Sequence, residues 1–252
     1  MMLFFMILIG VSVGSFLNVL IHRLPNKQSI IFPSSYCPHC KEKIPWYYNI
    51  PIVSFLILKG LSNCCNKSIS IRYLFVEIIS MVLWIWTYYY IPNIDDKILF
   101  LIFSSSLLVI MITDYNHFYI PFELNILMFI SALTFFIYND HNLWNHFLPM
   151  LLLLAYFIVL TLLTTIVLKR DSMGYGDIVL IGIIGFWLGL FLTLIIIVFA
   201  SLLSLIHWLF LKAIKKEESI VLPFGSTLAM SAILVDMTAK ILQFDTSFLL
   251  IW

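Results

Sequence analysis

The chain has 252 residues, 62% of them hydrophobic and only 11% charged, with a formal net charge of +1. A soluble domain of this size has too little interior to hide so much apolar surface, so a water-soluble globule is excluded and an integral membrane protein is expected. The near-neutral charge excludes a basic nucleic-acid binder.

Apolar runs approaching the roughly 20 residues that cross a bilayer predict eight spans. They fall at about 2–20, 73–91, 98–114, 120–138, 147–168, 178–190, 191–211 and 221–243. The first is not read as a cleavable signal, because the basic residues Arg23 and Lys27 follow it and none precedes it. The sixth and seventh are cut from one long apolar stretch at its glycines, Gly182, Gly185 and Gly189. The expected fold is an all-α polytopic membrane protein of about eight transmembrane helices. It forms a single domain over 1–252 with one polar insertion, residues 21–72, between helices one and two.

Strict alternation puts 21–72, 115–119, 169–177 and 212–220 on one side, together with 12 of the 14 Lys and Arg. Cytoplasmic loops carry the Lys/Arg excess, so this side is expected to be cytoplasmic. A seven-helix count would separate the basic clusters at 169–170 and 212–216.

Two aspartates stand where spans meet this face. Asp114 closes the third span in Met111-Ile-Thr-Asp114, and Asp177 opens the sixth in Gly174-Tyr-Gly-Asp177. Ionisable residues beside a membrane span are costly and need a reason. Paired carboxylates can share a proton, one acting as base on a water while the other polarises a peptide carbonyl. Asp177 alone could be a helix N-cap. Asp114 cannot be explained that way, since a negative charge at a helix C-terminus opposes the macrodipole. Gly174 and Gly176 would allow close backbone approach and positive φ beside the carboxylate. Pro121 suits the first turn of the fourth helix. Glu77, just inside the second span, is expected to pair with Arg72 or to line the active site. Asp236 and Lys240, spaced i,i+4, are expected to pair.

All four cysteines lie in the insertion. Cys37-Pro-His39-Cys40 has the spacing of a zinc knuckle, and Cys64-Cys65 could complete a four-thiolate site, with His39 as an alternative ligand. The competing expectation is four reduced thiols holding no metal.

The ordered set of motifs resembles the type IV prepilin peptidase family. Asp114 is followed by Ile120-Pro121, and Gly174-Tyr-Gly176 precedes Asp177. Gly14-Ser-Phe-Leu-Asn-Val-Leu-Ile-His-Arg-Leu-Pro25 resembles the family's N-terminal signature. Ile50-Pro-Ile-Val-Ser54, Gly60 and Arg72-Tyr73 with Glu77 resemble its cytoplasmic region, and Leu222-Pro-Phe-Gly225 the start of its last helix. The resemblance implies an eight-helix membrane aspartyl protease of the bacterial cell membrane, with Asp114 and Asp177 as the catalytic pair. Its substrates would be prepilins or pseudopilins, whose apolar helix would lie in membrane lipid beside the enzyme while the basic leader is cut off. Proteolysis would need no cofactor. Zinc at the cysteines and S-adenosylmethionine for N-methylation of the new terminus are further implications. Many family members have a second Cys-x-x-Cys pair; matched to it from Gly60, Cys65 falls at the fourth cysteine and Ser62 at the third. Phe122 and Val179 depart from the family pattern, which often has Asp or Asn and Lys there.

Two rival readings are separable. A presenilin-type protease shares Gly-x-Gly-Asp but not the Gly14-Ser-Phe-Leu-Asn18 segment. A transporter using the aspartates as ion ligands would place them near the midplane on broken helices, not at one face.

Overall fold

The computed structural model describes residues 1–169, 173–215 and 222–242, leaving aside the side chains of Leu168, Ile214 and Lys215. Its helices are α1 Met2–Arg23, α2 Val53–Ile57, α3 Arg72–Tyr90, α4 Ile94–His117, α5 Phe122–Tyr138, α6 Trp144–Leu168, α7 Tyr175–Lys215 and α8 Phe224–Ile241. Among the described residues the only β pairings are two isolated bridges, Tyr36 with Lys43 and Leu61 with Ser68. Among the described residues six helices are long and apolar enough to cross a membrane, and α5, at 17 residues, is shorter. The 41-residue α7 is interrupted at Gly189, whose φ of 77° and ψ of 175° are not helical. With α5 and the two parts of α7 counted, each of the eight expected spans has its helix. Arg170, Lys216 and the ends of the last expected span lie outside the described residues.

Contacts divide the chain into two compact units, residues 1–101 and 102–252. In the first, α1 and α3 touch backbone to backbone at two glycines. A Cβ on Gly14 would stand 2.7 Å from Glu77 Cα, and one on Gly10 would stand 2.8 Å from Trp84 Cβ. Ser80 Oγ donates to the Gly10 carbonyl at 2.7 Å, and Asn18 Nδ2 donates to the Tyr73 carbonyl at 3.0 Å. Lipid supplies no hydrophobic drive between helices, so close approach and hydrogen bonds across the seam hold this pair. Gly10-Val-Ser-Val-Gly14 is the sequence signature of such packing, a signal that hydropathy alone does not use.

In the second unit α7 packs against α5, α6 and α8. Gly182 and Gly185 admit Leu154 and Leu153 of α6: a Cβ on Gly182 would lie 2.8 Å from a Leu154 methyl, and one on Gly185 would collide with a Leu153 methyl. A break at Gly189 frees carbonyls of the preceding turn. His146 Nδ1 donates to one of them, Phe186 O, at 3.2 Å, and Thr193 Oγ1 donates to Gly189 O at 2.7 Å. Trp187 Nε1 donates to the buried Asp236 at 2.6 Å, and Lys240 closes the expected ion pair with Asp236 at 2.9 Å.

Candidate active site and cysteine cluster

Asp114 lies in the last turn of α4 and is buried, with 6% of its surface exposed. The helix stops just beyond it, where Phe118 takes the left-handed conformation, φ 51°, and its amide donates back to the Asp114 carbonyl. Tyr119 and Ile120 then lead to Pro121, which precedes the first residue of α5 and accepts from the Leu124 and Asn125 amides. Pro121 therefore sits one position before the first turn predicted for it. His117 is exposed.

Asp177 stands in the first turn of α7 and is half-buried. Its Oδ1 is buried without a hydrogen-bond partner among the described residues. Its carboxylate accepts from the Gly174 amide, a capping contact that leaves Oδ1 unused.

The same α8 glycine brings the two carboxyls together. A Cβ on Gly225 would lie 2.9 Å from Asp177 Oδ1, 3.1 Å from Asp114 Cγ and 2.8 Å from Ile120 Cδ1. Both acids thus crowd one point, closed on a third side by Ile120. The Ser226 amide donates to Asp114 Oδ2 at 2.7 Å, so the first turn of α8 offers a backbone donor to one acid of the pair. Gly174 and Gly176 do not use the positive φ expected of them; the described glycines with positive φ are Gly60 and Gly189. They serve close approach instead. A Cβ on Gly174 would lie 3.1 Å from Asp177 Oδ2, and one on Gly176 would lie 3.1 Å from Ile120 Cβ.

Glu77 belongs to the first unit and is buried on α3. It does not pair with Arg72: its Oε2 accepts the Ile52 amide at 2.7 Å. Ile52, a β-branched residue at φ 60° and ψ −54°, is the centre of a γ-turn closed by Val53 N to Pro51 O at 2.6 Å. The carboxylate thus ties the insertion to α3 at a β-branched residue held at positive φ. A cavity of about 670 Å³ opens beside it, lined by Asn18, His22, Tyr48, Arg72 and Glu77. Asn18 Oδ1 and Arg72 Nε are buried there without hydrogen-bond partners.

The cysteines come together. One sulfur from each of Cys37, Cys40, Cys64 and Cys65 lies within 4.8 Å of every other, with Cys37 to Cys65 at 3.8 Å and Cys40 to Cys64 at 2.9 Å. Thiolates about 2.3 Å from a tetrahedral ion sit about 3.8 Å apart, so the donor set fits zinc once the shorter pair opens. Two matching hairpins build it, a repeat that the sequence barely shows. Cys37 N donates to Glu42 O and Ser62 N to Lys67 O; Lys41 N donates to Cys37 O and Asn66 N to Ser62 O. Lys41 and Asn66 share the left-handed turn at φ 62° and 53°. Ser62 therefore occupies in the second hairpin the place of Cys37 in the first, as the count from Gly60 predicted. Its hydroxyl lies 3.0 Å from Cys64 Sγ and 3.5 Å from Cys37 and Cys65. Burial raises the Cys37 thiol, but the Cys40 and His39 amides and the Ser62 hydroxyl outweigh it and bring it down to about 6. Hydrogen bonding to Cys64 pushes Cys40 up to about 12.

The chain matches the Bacterial Peptidase A24 N-terminal domain over residues 8–91 and the Type IV leader peptidase family over residues 101–209. It is 33% identical to a Klebsiella pneumoniae protein named Prepilin leader peptidase/N-methyltransferase, over 73% of this chain and 84% of that one. Proteins of the same name from Pectobacterium carotovorum subsp. carotovorum and Vibrio cholerae serotype O1 are 30% and 28% identical, covering 89% and 93% of this chain and 89% and 96% of their own lengths. No solved structure matches it. Helices of membrane-spanning length, two carboxyls meeting at the first turn of α8 and these matches along the chain lead to one conclusion: it belongs to the type IV leader peptidase family, a family of membrane peptidases.

Proposed function

We propose that the protein is an aspartyl endopeptidase of the bacterial cytoplasmic membrane that removes the basic leader of prepilin-like precursors, with Asp114 and Asp177 as its catalytic pair. The observation that carries the reading is the convergence of the two carboxyls on the space above Gly225. One acid takes the proton of a water held between them while the other donates to the scissile carbonyl; no cofactor enters that chemistry. The leader peptidase relatives supply the substrate class, and the whole chain acts as one peptidase with residues 21–72 as its cytoplasmic insertion.

Two further assignments rest on the first unit. The four cysteine thiolates would hold a zinc ion that clamps the two hairpins, a structural role that suits a closed four-sulfur set. The relatives' N-methyltransferase name, with a cavity of about 670 Å³ edged by unpartnered Asn18 and Arg72 atoms, favours S-adenosylmethionine as a second ligand, since the volume falls within the range of small-molecule sites.

The test is co-expression with a pilin-like precursor, following the precursor's mass. Leader loss with the wild type, reduced at least a hundredfold by Asp114→Asn and by Asp177→Asn, is expected from losing an acid–base partner (on the order of 10²–10⁴). Cleavage that survives either substitution would defeat the dyad. Metal or proton uptake that needs both aspartates, without proteolysis, would favour a transporter.

A further inference from the structure

We infer that the first turn of α8 is the seat of the catalytic pair, with Gly225 and Ser226 as positioning residues for the cleavage reaction. The inference rests on the aspartyl peptidase reading and adds a third element to a pair otherwise carried by α4 and α7.

Two independent observations carry it. The first is steric. The position a Cβ would take on Gly225 lies 2.9 Å from Asp177 Oδ1 and 3.1 Å from Asp114 Cγ, so an alanine there displaces both acids at once. Gly225 is helical and has no positive φ, so conformational freedom does not account for it. Absence of a side chain does. The second is polar. Ser226 is in the first turn of α8, where amide hydrogens have no intrahelical acceptor. Its N–H donates at 2.7 Å to Asp114 Oδ2, across 112 positions of sequence, while its hydroxyl is occupied by the Pro223 carbonyl at 2.8 Å. Asp114 is thereby held by one oxygen. Asp177 is held from its own segment instead: its carboxylate accepts from the Gly174 amide, and its Oδ1 is unpartnered among the described residues. The seat fixes Asp114 from α8 and leaves Asp177 Oδ1 open to water and substrate.

The rival explanation is that Gly225 is needed only to pack Ile120, whose Cδ1 is 2.8 Å from the same point. The experiment separates them. The full chain in detergent is assayed on a synthetic peptide with a basic leader joined to an apolar helix, as wild type, Gly225→Ala, Ile120→Val and the double variant. A displacement of order 1 Å at a reacting group costs about a hundredfold. Gly225→Ala is therefore expected to lower kcat by about that factor with KM little changed, and the double variant, which removes the Ile120 Cδ1, is expected to stay as slow. Wild-type kcat for Gly225→Ala, or recovery in the double variant, overturns the inference. If Gly225→Ala does not accumulate folded, Ser226→Pro decides. Proline in a first turn removes no intrahelical bond, so this variant deletes the amide donor, and Ser226→Ala controls for the hydroxyl. A kcat loss of about tenfold or more beyond Ser226→Ala, the order of one charge-assisted hydrogen bond, supports the seat; equal rates overturn it. Asp114→Asn and Asp177→Asn run alongside. Inactivity of both with normal kcat for Gly225→Ala removes the seat alone, whereas activity of either removes the dyad and the seat with it.

Discussion

Asp114 and Asp177 are legible in the sequence because ionisable groups at a membrane boundary need a purpose, and because Gly174 and Gly176 flank one of them. Gly225 is legible only as part of a resembling segment. Its role comes from contacts with residues far away in the chain, and the Ser226 donor is backbone, which every residue carries. Gly174 admits a sharper test. Among the described residues, the only atoms near its missing Cβ belong to Asp177, Oδ2 at 3.1 Å and Cγ at 4.0 Å. Gly174→Ala should therefore leave the fold unchanged in thermal unfolding yet reduce kcat by about tenfold, since a crowded carboxylate shifts by less than a full ångström. Unchanged kcat would show that the carboxylate has room to move.

Among the elements, helices were predictable from hydropathy, and their limits less so. The ends of α4 reach beyond the apolar run at both sides, because Asp95, Asp96 and His117 belong to the same hydrogen-bonded helix. The hairpins of the insertion were hidden. Their equivalence lies in backbone bonds and in left-handed turns at Lys41 and Asn66, and neither has a strong residue signature. The hairpin geometry yields a metal prediction. The wild type should retain about one zinc per chain by plasma mass spectrometry. Cys64→Ser should lose it, and Ser62→Cys combined with Cys64→Ser should regain it, because Ser62 already stands where Cys37 stands in the first hairpin. Retention of zinc by Cys64→Ser would remove Cys64 from the ligand set.

For the whole molecule, the charge map predicts that residues 21–72, Asp114 and Asp177 face the cytoplasm. In a chain with its own cysteines replaced by serine, a cysteine at exposed His117 should react with a membrane-impermeant maleimide in inverted vesicles and not in intact cells. Labelling from outside would reverse the topology and the proposed site of cleavage. The sequence by itself determined the class, where the apolar helices fall, the break near Gly189 and the two candidate acids, because each follows from local composition: apolar length, a glycine, an ionisable group where lipid ends. Only the tertiary structure decided what those acids rest on, that Glu77 holds Ile52 and not Arg72, and that four sulfurs meet across two hairpins. Each of those depends on a hydrogen bond or a van der Waals limit between residues distant in sequence, which residue type and spacing do not encode.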